Sequence, residues 1–258
     1  MMYINLEQYM IFLLVMLRMV GMLLFHPILG RRNIPPMLGT GLAFVLAVLL
    51  TGTMDFAPLP DVTLLQFLYL VVKELAVGLV AGTILRMFLS ALTIGGEIID
   101  FENGLSMAKN FDPATNASVS VTADFFNAFF ILSFFVTNNH LTFIYLVAQT
   151  FRVIPLGGAL ISPDALSYIP QLFSAAFLLG IKLSLPIVAV ELVVTIATGI
   201  IMRVVPQINI FVVNIQFKLF VGIFALIVLV APIMGFLENL LAICMERVQE
   251  AWTYLLPV

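Results

Sequence analysis

The residues best equipped for chemistry are four carboxylates, Glu97, Asp100, Glu102 and Asp112, gathered in "GGEIIDFENGLSMAKNFDP", residues 95–113. Glu97 and Asp100 are three residues apart, so on a helix they share a face. Such a pair could hold a metal ion, relay a proton or ion, or pair with arginines of a neighbour. A divalent cation wants more oxygen ligands than two or three carboxylates supply, and no histidine is close in sequence. Intramembrane carboxylates mark proton and ion paths, which makes a relay the better-motivated chemistry. The plainer reading is that Gly95, Gly96, Asn103 and Gly104 break the helix and leave the acids solvated or paired.

The run that follows, "FDPATNASVSVTAD" (111–124), is built of small polar residues after an Asp-Pro turn, with Asp124 near the start of the next helix. It reads as a surface loop, or as a flexible segment lying over a pore. In the second case the apolar side chains of Leu105, Met107 and Phe111 are the seal, because soft side chains close irregular gaps without hydrogen-bonding demands. His26 precedes Pro27 at a helix end, and His140 sits in "TNNHL" at a turn or helix interruption; both read as structural. A single cysteine, Cys244, excludes an intrachain disulfide and a multi-cysteine metal cluster. No phosphate-binding loop, nucleophile elbow or zinc-protease motif occurs, so no enzyme activity, metal or cofactor is expected.

These residues must be positioned by an unusually apolar chain. Of the 258 residues, 62% are apolar and 10% charged, with a mean hydropathy of +1.17. A soluble domain is about 45–50% apolar and about 25% charged, so too little polar surface is available for a water-soluble globule. The chain is read as an integral membrane protein. The net charge of −3 is small and points to no particular partner, and with no basic patch of the kind that holds nucleic acid, no nucleic-acid partner is expected. The start "MMYINLEQYM" has no positive n-region, so the first apolar segment is expected to stay.

Six apolar stretches follow, at 9–25, 38–52, 64–89, 125–151, 171–202 and 208–234. A spanning helix needs about 20 residues; the second stretch is short for that. The fifth is overlong, with Pro186 expected to kink it. Pro58, Pro60, Pro155, Pro163 and Pro170 are expected in turns. Gly78 and Gly82 form a small-xxx-small pair that permits close helix approach. Arg18, Lys73, Glu74, Arg86, Lys182, Glu191 and Lys218 fall within the stretches. Each charge at a bilayer centre costs at least about 2.5–3.5 kcal/mol, so these residues face protein interior, or the helices lie partly outside hydrocarbon. Arg31, Arg32, Lys109 and Arg203 place residues 203–207 in the cytoplasm and both termini outside. "RVVPQIN" (203–209) is short enough to join its two apolar arms as an antiparallel hairpin.

Taken together, "LRMVGMLLFHPILGRRNIPPMLGTGLA" (17–43), "GGEIIDFENGLSMAKNFDPATN" (95–116), "FRVIPLGG" (151–158) and "RVVPQINIFVVNIQFKLFVG" (203–222) resemble the FliR family of flagellar protein-export components. Virulence-secretion relatives share the pattern. The resemblance implies an all-α integral membrane subunit of the type III export gate. It implies a FliP-like helical part over residues 1–164 and a FliQ-like helical hairpin over 165–258. The implied partners are FliP-like and FliQ-like subunits, an FlhB-like protein and unfolded flagellar export substrates, at the inner membrane of the flagellar basal body. The family's plug maps from Gly104 to about Asn116, with Gly104, Leu105, Met107, Phe111 and Pro113 as plug residues and Glu97 and Asp100 as hinge or assembly acids. Arg203, Pro206, Gln207 and Asn209 match the family's cytoplasmic hairpin tip, implied to meet the FlhB-like partner. Lys109 is more basic than that plug pattern leads one to expect. The competing class is a small secondary transporter using Glu97 and Asp100 as coupling-ion groups; such proteins often carry internal repeats, and none is visible.

Overall fold

The computed structural model describes residues 6–24, 35–59, 62–106, 120–159, 165–204 and 210–255. Among them the elements are helices: α1 (Leu6–Leu24), α2 (Pro36–Thr53), α3 (Leu64–Glu102), α4 (Val121–Val136), α5 (Asn139–Val153), α6 (Ala165–Val204), α7 (Ile210–Val228) and α8 (Val230–Thr253). Four helices are long and apolar enough to cross a membrane, and six spans are reached if each of two broken pairs counts as one. At 39 and 40 residues, α3 and α6 have about twice the residues that a spanning helix needs.

Several boundaries differ from the sequence expectation. The third stretch does not stop at 89: α3 runs through Gly95 and Gly96 to Glu102. Glycine weakens a helix only by about 1 kcal/mol relative to alanine, and both glycines gain close helix contacts. Pro170 lies inside the second turn of α6 rather than in a turn between elements. The stretch 125–151 is interrupted at Thr137 and Asn138, the latter at φ 57°, so His140 falls in the first turn of α5. Leu229 likewise separates α7 from α8 inside the sixth stretch.

The chain forms two compact units. The first comprises residues 1–87, 138–173 and 242–258, the second residues 88–137 and 174–241. In the first unit α1 buries Leu14, Val15, Arg18, Met19 and Met22, spaced three and four apart as one helical face. Gly21 of α1 and Gly78 of α3 let the two backbones touch: a Cβ on Gly21 would sit 2.7 Å from the Leu75 carbonyl oxygen, and one on Gly78 would strike the Arg18 carbonyl. On its other side α1 meets α2, with Phe12 edge-on to Phe44.

The charges that trouble a lipid-bathed helix are partly resolved here. Arg18 is buried and donates from Nε to Glu74 at 2.5 Å. Its Nη1 donates to the Thr150 and Ile154 carbonyls at 3.1 and 3.0 Å, neutralising the C-terminal end of α5. The guanidinium lies 4.3 Å from the Phe151 ring centroid. Glu74 accepts the Gly157 amide at 2.7 Å, while Lys73 donates to the Gly157 carbonyl at 3.2 Å. Gly157 holds φ 74°, a conformation in which a side chain is strained. So "FRVIPLGG" folds over a buried ion pair and ties α1, α3 and α5 together. In the first turn of α6, the Tyr168 hydroxyl donates to Glu250 at 3.0 Å and the ring stacks on Tyr254 at 4.6 Å.

In the second unit α3 crosses α6 at Gly95 and Gly180, where a Cβ on Gly95 would lie 2.9 Å from the Gly180 carbonyl oxygen. Thr198 of α6 donates to the Asn214 side-chain oxygen of α7 at 3.0 Å. A contact between residues 198 and 214, either side of a short connection, is the pairing of an antiparallel helical hairpin.

Candidate functional site

Segment 104–119 leaves α3 and returns at α4, and the geometry concentrates at its root. Gly104 ends α3 with φ 76°, its amide donating to the Phe101 carbonyl at 3.2 Å. A Cβ there would make only ordinary contact with Ile215, so the backbone angle, rather than space, calls for glycine. Leu105 follows, half-buried. Met107, Phe111 and Pro113 lie outside the described residues.

The returning end is fastened by Asp100. This carboxylate is fully buried, and its Oδ2 accepts the Val121 amide at 2.8 Å. Its Oδ1 accepts the Thr122 amide at 3.3 Å and the Thr122 hydroxyl at 2.5 Å. Ser120 supplies the N-cap of α4 by accepting the Ala123 amide at 3.0 Å. A carboxylate facing the first amides of a helix also meets the positive end of its dipole. Gly96 makes the approach possible, because a Cβ there would come within 2.5 Å of the Ala123 Cα. The two ends of the segment are thus clasped by one acid and one glycine of α3.

Glu97 is exposed while Asp100 is buried, so the two acids do not act as a pair on one working face. Both Asp100 oxygens are committed to donors at the head of α4, which is the chemistry of a cap rather than of a metal ligand. Among the described residues no group of three or more His, Cys, Asp or Glu is placed to hold a metal ion. Glu102, the next acid, is paired with Lys218 of α7 at 3.4 Å. Beside it Asn103 is buried against Gly222. Of the hairpin-tip residues, Arg203 is exposed in the last turn of α6; Pro206, Gln207 and Asn209 lie outside the described residues.

The sequence reading missed Val121 and Thr122 as partners of Asp100, and Ser120 as the N-cap beside them, although "SVSVTAD" carries a serine three residues before Ala123, the spacing of an N-cap. It also missed the Arg18–Glu74 pair, whose members are 56 residues apart. In the first unit an apolar cavity of about 680 Å³ is walled by residues including Tyr69, Val80, Met87, Tyr168, Leu172 and Tyr254. Lys73 reaches it but is occupied by the Gly157 carbonyl, so no set of polar groups converges on that space.

Residues 9–243 match the family described as bacterial export proteins, family 1. The chain is 32% identical over 242 residues to the flagellar biosynthetic protein FliR of Bacillus subtilis, covering 93% of each chain. It is 31% identical over 227 residues to that of Escherichia coli, covering 87% of this chain and 86% of the relative. With that of Aquifex aeolicus it shares 28% identity over 222 residues, 86% of each chain. The chain therefore belongs to the bacterial export proteins, family 1, and groups within them with the FliR proteins.

Proposed function

We propose that the chain is a non-enzymatic subunit of the flagellar type III protein export gate, helping to form and seal the pore through which unfolded flagellar substrates pass. Its relatives are named flagellar biosynthetic proteins, and its helices suit a membrane-embedded apparatus. The observation that carries the sealing role is the clasped root: Asp100 and Gly96 hold the head of α4 against α3, so residues 104–119 leave and re-enter at one place. A segment fastened at both of its ends is suited to act as a plug, with Leu105, Met107, Phe111 and Pro113 as the sealing residues and Gly104 as the turning point.

The remaining assignments rest on the family resemblance. Residues 1–164 form the FliP-like part and 165–258 the FliQ-like hairpin; the antiparallel contact between Thr198 and Asn214 supports the hairpin. FliP-like and FliQ-like subunits pack around the chain in the bacterial inner membrane. The tip at Arg203, Pro206, Gln207 and Asn209 meets the FlhB-like protein on the cytoplasmic side. Purification through this chain tests the reading: FliP-like and FliQ-like subunits should co-purify in fixed ratio. A stable homo-oligomer without them would contradict a gate subunit.

A further inference from the structure

The last residues of α3 rest on one face of α7. Glu102 accepts the ammonium of Lys218 at 3.4 Å, with both side chains mostly shielded. Asn103 is 1% exposed and lies so close to Gly222 that a Cβ there would collide with its amide. At Gly104 a Cβ would meet the Ile215 side chain at 3.6 Å. Three consecutive residues of the chain therefore meet Ile215, Lys218 and Gly222, which are three and four apart and form one stripe of α7. These are not the residues of a lipid-facing stripe. Lys218 is the one charged residue of α7, and a charge on a spanning helix turns to protein rather than to hydrocarbon. Gly222 lies inside the helix, where glycine is weaker than alanine, and its missing side chain is what admits Asn103. Neither end of the Asn103 amide is partnered among the described residues. Burying it is unfavourable by itself, so its place is set by the contacts on either side. Next to the stripe, Asn214 accepts the Thr198 hydroxyl at 3.0 Å, which braces α7 on α6.

We infer that Lys218 and Gly222 are positioning residues: they seat the end of α3 on the helical hairpin and so fix where the chain leaves for segment 104–119. Asp100 and Gly96 fasten the returning end; the α7 stripe fixes the departing one. The consequence for sealing rests on the reading of that segment as a plug. The seat itself does not.

Complexes purified through this chain test the seat by two readouts, limited proteolysis within 104–119 and ion leakage after reconstitution. Lys218→Glu sets two acids against each other, so cleavage should run several times faster than in wild type and leakage should rise with it. Adding Glu102→Lys restores a pair of opposite charges, so E102K/K218E should bring both readouts back towards wild type. The conservative Lys218→Arg should stay near wild type. Gly222→Ala is a second route that leaves the charges untouched. It should also speed cleavage, and adding Asn103→Ala makes room for the methyl group and should reverse that effect. This second pair decides the matter if K218E does not assemble. Wild-type cleavage in assembled K218E and G222A complexes overturns the seat, as do double variants no better than their single ones. If cleavage changes as expected while neither these complexes nor those carrying Met107→Gly with Phe111→Gly leak, the seat stands and the plug reading fails.

Discussion

Asp100 and Glu97 show how far residue type alone can carry an argument. The sequence presents two acids three apart on one helix; the structure gives Asp100 three donors at the head of α4 and leaves Glu97 in contact with the surroundings. Their difference was not legible because it depends on Val121 and Thr122, which return beside Asp100 only after the intervening segment has turned back. Hydrogen bonds to a charged group are worth about 1.5–3 kcal/mol. Asp100→Asn should therefore lower the thermal stability of the assembled complex by about that amount, whereas Glu97→Gln should change it by less than about 0.5 kcal/mol. Equal effects in a melting experiment would remove Asp100 from its place as the clasp. Arg18 and Glu74 follow the same logic in a stricter form. Breaking a buried pair by removing one partner costs about 3–5 kcal/mol, so Arg18→Met alone should sharply reduce recovery of folded complex. The double change Arg18→Met with Glu74→Leu should regain part of it, as read by detergent-resistant complex yield. A double variant worse than either single one would mean that the charges do not act on each other.

Helical periodicity and apolar length were enough to locate most elements, because a face of buried residues three and four apart is a local property. The breaks were harder. Gly104, named from composition as a helix breaker, does end α3, in the left-handed angle that glycine adopts without strain. Gly95 and Gly96 were read as breakers for the same compositional reason, yet they are helical. Their role is set by Gly180 and Ala123, remote in sequence, whose backbones come too close for a side chain. Gly96→Ala should consequently push α3 from the head of α4 and loosen the 104–119 root. Limited proteolysis within 104–119 should become faster in that variant. Gly39→Ala is the control, because a Cβ at Gly39 meets nothing within 4 Å. Unchanged cleavage in G96A would mean that the close approach does not hold the segment.

Across the whole molecule, composition anticipated a membrane protein, and the buried charges explain how such a chain tolerates polar residues. Arg18, Glu74, Asp100 and Glu191 are inside protein, while Met37, Phe44, Leu49, Phe217, Phe220 and Phe224 remain exposed on the isolated chain. Apolar surface on that scale must be covered by lipid or by other subunits. That requirement fits a component of a larger apparatus, and it is why the working unit is the assembled gate. Ion leakage through the assembled complex measures most directly the proposed closure of the pore by residues 104–119. Complexes carrying Met107→Gly together with Phe111→Gly should conduct ions across reconstituted vesicles or the cell membrane well above the wild-type level, with assembly intact. Wild-type conductance from a fully assembled complex carrying both changes would contradict the plug.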